Sequence, residues 1–413
     1  MLTQADQKLV ESFFKRHYLE KASTVYIPDR ISEREFGYFP FWDKTMIRHI
    51  YVESPEKLTE LIVKNNPLHV YHSAAFYKYP SAPMEEKEWI GAELAFDIDA
   101  DHLKTSCNRK HDVKVCPKCF TTYPTGSDKC SKCDSGLEEV EWVCELCLEA
   151  AKEETRKLLN FLEDDLGFSK IRIAFSGNRG YHVIVMDEQI LELGQQERKE
   201  IVDYITGTGI SLRVLGFPED SRKNRSVRIV GPDISEPGWR GRIARTAIQL
   251  VLRSDPEELS ELSGEPILVK KYIDVLKNSS EEWSERCAWD VLPKSVVRLL
   301  AKAAVAYASA RIDVVVTSDI HRLIRLGNTL NGKSGLLAKI IEDDEFEDFD
   351  PFYHAAVLPQ DRKIEVYVLK APKFKIDGEE YGPYENVKVR LPLPAATLLI
   401  TKKLATVSRL AVN

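Results

Sequence analysis

The stretch "ELAFDIDADHL", residues 93–103, places two carboxylates two positions apart within an otherwise apolar run. Successive side chains of a β-strand point to opposite faces, so Asp97 and Asp99 share one face while Phe96 and Ile98 occupy the other. Two carboxylates this close repel each other unless a cation lies between them or one of them stays protonated. The stretch therefore indicates a divalent metal site on a buried strand; the alternative is a strand end that turns into solvent.

The composition is that of a globular chain with enough apolar material for more than one domain, since 43% of its 413 residues are hydrophobic. No apolar run reaches the roughly 18 residues that a membrane span requires. The charged N-terminal residues 1–21 also lack the apolar centre of a signal peptide. We therefore expect a cytoplasmic protein with no membrane partner.

The net charge of −7 argues against a surface covered with nucleic-acid-binding charge, but it leaves room for a local basic groove. Residues 213–245 have the excess of positive charge that such a groove requires. The segment contains four acidic residues and these basic residues: Arg213, Arg222, Lys223, Arg225, Arg228, Arg240, Arg242 and Arg245. The segment is either part of a groove or an ordinary solvated face, and both interpretations remain open.

The order of patterns along the chain predicts an α+β fold. Helical periodicity covers residues 5–22, 145–166 and 294–310. Alternating patterns predict strands within 36–76, on both sides of the turn in "KIRIAFSGNRGYHVIVMD" (170–187), and in the tail. The segment "RIDVVV" (311–316) also predicts a strand, with Asp313 facing away from the core.

We expect one mixed-sheet body interrupted by two insertions. The parts are the N-terminal body 1–104, a zinc-binding module 105–148, more of the body 149–190, a mainly helical insertion 191–310, and the C-terminal body 311–413.

Seven of the eight cysteines lie between positions 107 and 147, and in an intracellular protein such clustering indicates metal rather than disulfides. Three CxxC pairs supply six ligands, and Cys107 and His111 bring the number to eight, enough for two closed tetrahedral zinc sites. Both gaps between the pairs are ten residues long, so spacing alone leaves the pairing ambiguous. We favour an inner zinc ribbon and an outer site, with these ligands: Cys116, Cys119, Cys130 and Cys133 (inner); Cys107, His111, Cys144 and Cys147 (outer). Sites closed by four protein ligands are structural rather than catalytic.

Two further segments have site chemistry. In "FSGNRGYHV", the turn amides converge with Ser176, Arg179 and His182, a set that suits phosphate oxygens. Asp313 is followed within twenty residues by basic side chains, including Arg325 and Lys333. Each signal is weak alone, because a single histidine or strand aspartate is commonly structural.

Together, the DxD strand, the zinc-binding block, SGNRGYH and "HRLIRLGNTLNGKSGL" (321–336) closely resemble the catalytic small subunit of archaeal and eukaryotic DNA primases. The resemblance extends upstream through "REFGYFPFWDKTMIRH" (34–49) and "VYHSAAFYKYP" (70–80). It implies an archaeal replication enzyme with a primase-type catalytic body.

The resemblance also implies roles for individual residues. Asp97, Asp99 and Asp313 match the family's three catalytic aspartates, which bind Mg²⁺ or Mn²⁺. The triphosphate-binding residues of the family correspond to Ser176, Arg179 and His182, with Arg325 at a basic nucleotide contact. In the last motif, Lys333 is retained and Asn331 replaces the family's usual histidine, which leaves the role of Asn331 open. Residues 112–143 look like an insertion into the family's single zinc knuckle, which favours the inner and outer partition.

The implied reaction is two-metal nucleotidyl transfer, in which ribonucleoside triphosphates are joined on a single-stranded DNA template to give an RNA–DNA hybrid. Synthesis of DNA primers from deoxyribonucleotides is a further option, because the preference between the two nucleotide classes is left open. The implied partner is a large subunit that carries an iron–sulfur cluster and forms a heterodimer with this chain. A primase-like repair or end-joining polymerase is the alternative enzyme. A zinc-ribbon nucleic-acid adaptor, in which the acids are only structural, is the non-enzymatic alternative.

Overall fold

A computed structural model of the chain describes residues 3–103, 105, 107, 110–140, 142–217 and 231–407. Much of the basic segment, including Arg222, Lys223, Arg225 and Arg228, lies outside the described residues. The chain divides into two compact units. The first comprises Met1–Thr155, Ser169–Arg198 and Ile312–Asn413, and the second comprises Arg156–Phe168 and Lys199–Arg311.

Strands and helices are both abundant, so the chain is a mixed protein of helices and sheets. The strands are β1 Phe36–Phe39, β2 Ile47–Ile50, β3 His69–Ser73, β4 Ala75–Tyr77, β5 Trp89–Ala92, β6 Leu94–Asp99, β7 Val113–Val115, β8 Thr122–Tyr123, β9 Glu138–Val140, β10 Ile171–Phe175, β11 Gly180–Val185, β12 Leu323–Arg325, β13 Thr329–Leu330, β14 Leu337–Ala338, β15 Ile340–Ile341, β16 Lys363–Ala371, β17 Phe374–Ile376, β18 Glu379–Tyr381, β19 Tyr384–Pro392 and β20 Ala405–Thr406.

The helices are α1 Gln4–Lys21, α2 Pro55–Asn65, α3 Glu145–Asn160, α4 Gln195–Thr206, α5 Gly238–Arg253, α6 Pro256–Ser263, α7 Pro266–Asn278, α8 Ser280–Glu285, α9 Lys294–Ala308, α10 Val314–Ser318, α11 Pro351–His354 and α12 Leu393–Thr401. A π-helical turn, Phe161–Asp165, follows α3. No helix among the described residues is long and apolar enough to cross a membrane.

Two four-stranded sheets of the first unit carry the candidate site. The aspartate sheet has the strand order β15-β10-β11-β6, and the arginine sheet has the order β12-β3-β1-β2. The strand pairs in the described residues are antiparallel, rather than the mixture that a mixed-sheet body would show. On β6 the expected alternation holds, since Phe96 and Ile98 are buried while Asp97 and Asp99 are partly exposed.

The prediction of a strand at "RIDVVV" is wrong. Residues Val314–Ser318 form the short helix α10, and Asp313 is its N-cap, because its Oδ1 accepts hydrogen bonds from the amides of Val315 (2.9 Å) and Val316 (3.1 Å). Val314 and Val315 are 43% and 73% exposed, so the apolar run does not mark a core strand here. A capping carboxylate has overridden the β-propensity of three valines.

A buried ion triad joins segments of both sheets. Glu93, just before β6, pairs with Arg34, just before β1, with 2.6 Å between Glu93 Oε1 and Arg34 Nη2. Arg172 of β10 lies on the other carboxylate oxygen, with 3.6 Å between its Nη2 and Glu93 Oε2. The three side chains are 3%, 0% and 9% exposed, in the order Glu93, Arg34 and Arg172. One carboxylate therefore balances two guanidinium groups inside the protein.

The second unit has a helical core of its own. Helices α5 and α9 pack against each other, and each presents a buried apolar stripe at helical spacing. The stripe residues are Ile243, Ala247 and Leu250 on α5, and Val297, Leu300 and Ala304 on α9.

Candidate active site and metal centres

A cavity of about 290 Å³ in the first unit is lined by residues of both sheets. The lining includes most of the predicted site residues: Asp97, Asp99, Ser176, His182, Arg325, Asn331 and Lys333. Tyr71, Asn178 and Arg322 complete its polar wall. Carboxylates from one sheet and cations from the other thus meet in one place.

The two aspartates of β6 are held against β11. His182 pairs with Asp97 in the antiparallel register, and its Nε2 lies 3.5 Å from Asp97 Oδ1. Burial lowers the pKa of His182, although Asp97 acts in the opposite direction. Opposite Asp99, residue 180 must be glycine, because a Cβ there would lie 1.9 Å from the carbonyl oxygen of Ile98.

The carboxylate pair has the properties of a divalent cation site. Burial raises the pKa of Asp99 to about 6; Arg179 opposes this shift, and the carboxylates of Asp101 and Asp97 add to it. A cation in the cavity would remove this repulsion, and carboxylate oxygens are the ligands that Mg²⁺ and Mn²⁺ prefer. The donor set therefore fits such an ion.

Asp313 lies next to this pair through its backbone. Its N–H donates to the carbonyl oxygen of Asp97 at 2.9 Å, which brings the start of α10 beside β6. Among the described residues, the groups of three or more metal-binding side chains with ligand atoms within 4.8 Å of one another are the two cysteine sets. The carboxylate of Asp313, which caps α10, is not gathered that closely with those of Asp97 and Asp99.

The turn between β10 and β11 is braced by its own serine. Ser176 Oγ accepts hydrogen bonds from the amides of Asn178 (3.3 Å) and Gly180 (3.2 Å). Lys402 Nζ donates to Asn178 Oδ1 at 2.9 Å. The turn is therefore held in shape at the edge of the cavity.

Arg179, predicted to bind the triphosphate, lies beside the carboxylates of this site rather than among the residues that line the cavity. Its Nη2 donates to Asp101 Oδ2 at 2.7 Å, and its Nε lies 3.5 Å from Asp99 Oδ1. Asp101, which sequence reasoning missed, is the third carboxylate in five residues and attracts the guanidinium. The signal was present in the repeated acids of "DIDAD".

Asn331 is a brace between two loops. It is 2% exposed, its Nδ2 donates to the carbonyl oxygen of Ser176 (2.8 Å), and its Oδ1 accepts from the amide of Lys333 (2.9 Å). Ser334 Oγ also donates to the carbonyl oxygen of Gly177. These bonds fix the Lys333 turn against the Ser176 turn and leave the exposed Lys333 facing the cavity.

The eight predicted zinc ligands lie in two clusters. In the outer set, Cys107, His111, Cys144 and Cys147 have ligand atoms within 4.8 Å of one another. His111 Nε2 lies 3.4 Å from Cys147 Sγ, while its Nδ1 lies 3.0 Å from Asp112 Oδ1. A carboxylate behind a histidine is the usual support of a zinc-bound imidazole.

The inner set consists of Cys116, Cys119, Cys130 and Cys133, also within 4.8 Å. Sulfur–sulfur distances of 3.3 Å (Cys116 to Cys133) and 3.4 Å (Cys119 to Cys130) approach the ligand separation of about 3.7 Å expected when Zn–S bonds are tetrahedral. This set lies in the module built on the small sheet β8-β7-β9. Both donor sets fit zinc.

Comparison with known proteins gives consistent similarities. The sequence model of the family described as DNA primase small subunit matches residues 128–343. The chain is 34% identical to the DNA primase small subunit of Nitrosopumilus maritimus, covering 98% of this chain and 100% of that protein. It is 33% identical to the protein of that name from Thermoplasma acidophilum, covering 91% of this chain and 92% of the relative. For the DNA primase small subunit of Saccharolobus islandicus the identity is also 33%, covering 95% and 91% respectively.

Proposed function

Because the chain belongs to the DNA primase small subunit family, we propose that it is the catalytic subunit of a replicative primase. In this role it is a nucleotidyltransferase that makes short RNA primers on single-stranded DNA. The observation that supports the proposal best is the single cavity that joins Asp97 and Asp99 of one sheet to Arg325 of the other.

In this proposal the acidic residues bind metal ions and the basic residues bind the triphosphate. Asp97 and Asp99 hold the divalent ions, and Asp313 adds a third carboxylate at the edge of β6. Bound Mg²⁺ or Mn²⁺ ions would activate the primer 3′-hydroxyl and stabilise the pyrophosphate that leaves. Arg325, Lys333 and the turn at Ser176 bind the triphosphate, and His182 donates to a phosphate oxygen from its place beside Asp97.

Zinc has a structural role in this proposal, and the zinc-binding module is residues 105–148. Each set offers four protein ligands, which complete the tetrahedral coordination of a zinc ion and leave no position for substrate. The outer set lies between β6 and α3, so it supports the body directly, whereas the inner set belongs to the inserted ribbon.

Initiation requires a partner. The first dinucleotide needs two bound triphosphates, each with about four negative charges, whose approach is opposed by repulsion and lost translational freedom. The described residues offer one convincing cradle, around Ser176, Arg325 and Lys333. We propose that an iron–sulfur large subunit holds the initiating nucleotide. This chain has one cysteine outside the two zinc sets, Cys287, which is too few to bind an iron–sulfur cluster.

The test is nucleotide incorporation on single-stranded DNA without a primer, with ribonucleotides and deoxyribonucleotides supplied separately. We expect the isolated chain to extend an annealed primer but to initiate poorly, and we expect the large subunit to restore initiation much more than extension. Extension without any initiation in the complex would indicate a repair polymerase. Binding of DNA without incorporation would indicate an adaptor.

A further inference from the structure

Arg325 differs from Arg179 and Arg172, two arginines beside the aspartate sheet, in the kind of group that its guanidinium contacts. Arg179 pairs with Asp99 and Asp101, and Arg172 pairs with Glu93. Within the described part of the chain, by contrast, no carboxylate forms an ion pair with Arg325, and its Nη1 is buried without a hydrogen-bond partner. Desolvation lowers the pKa of Arg325, and the nearby Tyr71, Tyr18 and Asp97 act in the opposite direction.

The group that contacts this cation is an aromatic ring. Tyr71 of β3 is the register partner of Arg325 on β12, and the guanidinium carbon lies 4.5 Å from the centre of its ring. The ring is itself fixed by contacts with Phe39 and His69, at centroid distances of 6.0 Å and 6.4 Å. Both Tyr71 and Arg325 line the cavity.

An aromatic ring and a carboxylate both stabilise a cation, but they differ in how much of its charge remains available to a ligand. A carboxylate would neutralise the guanidinium and compete with an incoming anion, whereas a ring attracts the cation through its quadrupole and adds no negative charge. Resting on the proposed function, we propose that Tyr71 is a positioning residue. It holds Arg325 in a desolvated place while the full positive charge stays available to the triphosphate.

The experiment compares Tyr71→Leu with Tyr71→Phe in the full chain. A desolvated cation–π contact is strong enough that its loss should raise KM for the incoming nucleotide about 5- to 30-fold, with a smaller change in kcat. Phenylalanine keeps the ring and should restore most of the affinity. In an Arg325→Ala background, Tyr71→Leu should have no additional effect, because the cation that the ring positions is already absent.

Tyr79→Leu is the matched control. The ammonium of Lys78 lies 5.1 Å from the centre of the Tyr79 ring, and Tyr79 is 48% exposed. We expect KM to be unchanged in this variant, since its cation lies outside the cavity.

Equilibrium affinity for a nucleoside triphosphate is measured in parallel, together with the thermal midpoint. If Tyr71→Leu does not fold, Tyr71→Met fills the volume without a ring and replaces it. Equal affinities for the leucine variant and the unaltered chain would overturn the proposal, as would equal losses in the leucine and phenylalanine variants. An unaltered chain that binds nucleotide but never polymerises would instead refute the proposed function, and the affinities would still test Tyr71.

Discussion

Glu93→Gln tests whether the buried ion triad holds the first unit together. The substitution keeps the size of the side chain and removes the one negative charge that faces Arg34 and Arg172. Both guanidinium groups then remain buried near each other with no counter-charge. We therefore expect a large loss of stability.

The magnitude follows from the burial of the triad. Removing one partner of a buried ion pair leaves an uncompensated charge and typically costs about 3–5 kcal/mol of the free energy of unfolding. Glu93 is 3% exposed, so water cannot replace the missing charge, and two cations are left rather than one. At about 2 °C for each kcal/mol in a domain of this size, the thermal midpoint should fall by roughly 6–10 °C.

The assay is thermal unfolding followed by circular dichroism, with Glu60→Gln as the control. Glu60 pairs with Lys57 at 2.8 Å, a distance similar to that in the triad, but its side chain is 62% exposed. The control should leave the midpoint unchanged because solvent screens an exposed pair. An unchanged or higher midpoint for Glu93→Gln would refute the reasoning, since it would mean that desolvation of the three charges outweighs their attraction.

Further predictions follow from the metal sites and from one histidine. The double variant Asp97→Ala/Asp99→Ala should abolish nucleotide incorporation without lowering the thermal midpoint, since two repelling carboxylates are removed; incorporation comparable to that of the unaltered chain would contradict the assigned roles. Elemental analysis should give about two zinc ions per chain. Cys144→Ser should lower the midpoint more than Cys119→Ser, because Cys144 lies directly before α3; the reverse order would contradict the structural ranking of the sites. Burial lowers the pKa of His17 from 6.5 to about 4, so protonation favours the unfolded state as the pH falls from about 6.5 towards 4. Between pH 7 and pH 5, the free energy of unfolding should therefore fall by about 2 kcal/mol less in His17→Gln than in the unaltered chain. Equal decreases in the two proteins would refute this.

The sequence predicts those parts of the site that depend on local rules. Strand alternation is enough to place Asp97 and Asp99 on one face, and it places His182 opposite Tyr181 and Val183 in the same way. CxxC turns likewise bring two thiolates to one ion because the geometry is set within four residues. These predictions need no knowledge of distant contacts.

Other parts of the site depend on contacts between distant segments, which a pattern cannot show. Three valines after Asp313 predict a strand, but the hydrogen bond from Asp313 N–H to Asp97 O and the capping bonds of its carboxylate stabilise a helix start. Arg179, expected to bind the triphosphate, also forms an ion pair with Asp101 of a distant segment, which its own motif does not indicate. In both cases a tertiary partner decides what the local pattern leaves open.

The position of β6 at the end of its sheet has a consequence for the behaviour of the protein in solution. A terminal strand exposes unpaired backbone groups along its outer side, and such an edge can recruit a strand from another molecule and begin aggregation. Here the hydrogen bond from Asp313 covers the outward carbonyl of Asp97, and the charges of Asp97 and Asp99 disfavour the approach of a second strand. We therefore expect variants that neutralise these carboxylates to self-associate more readily than the unaltered chain.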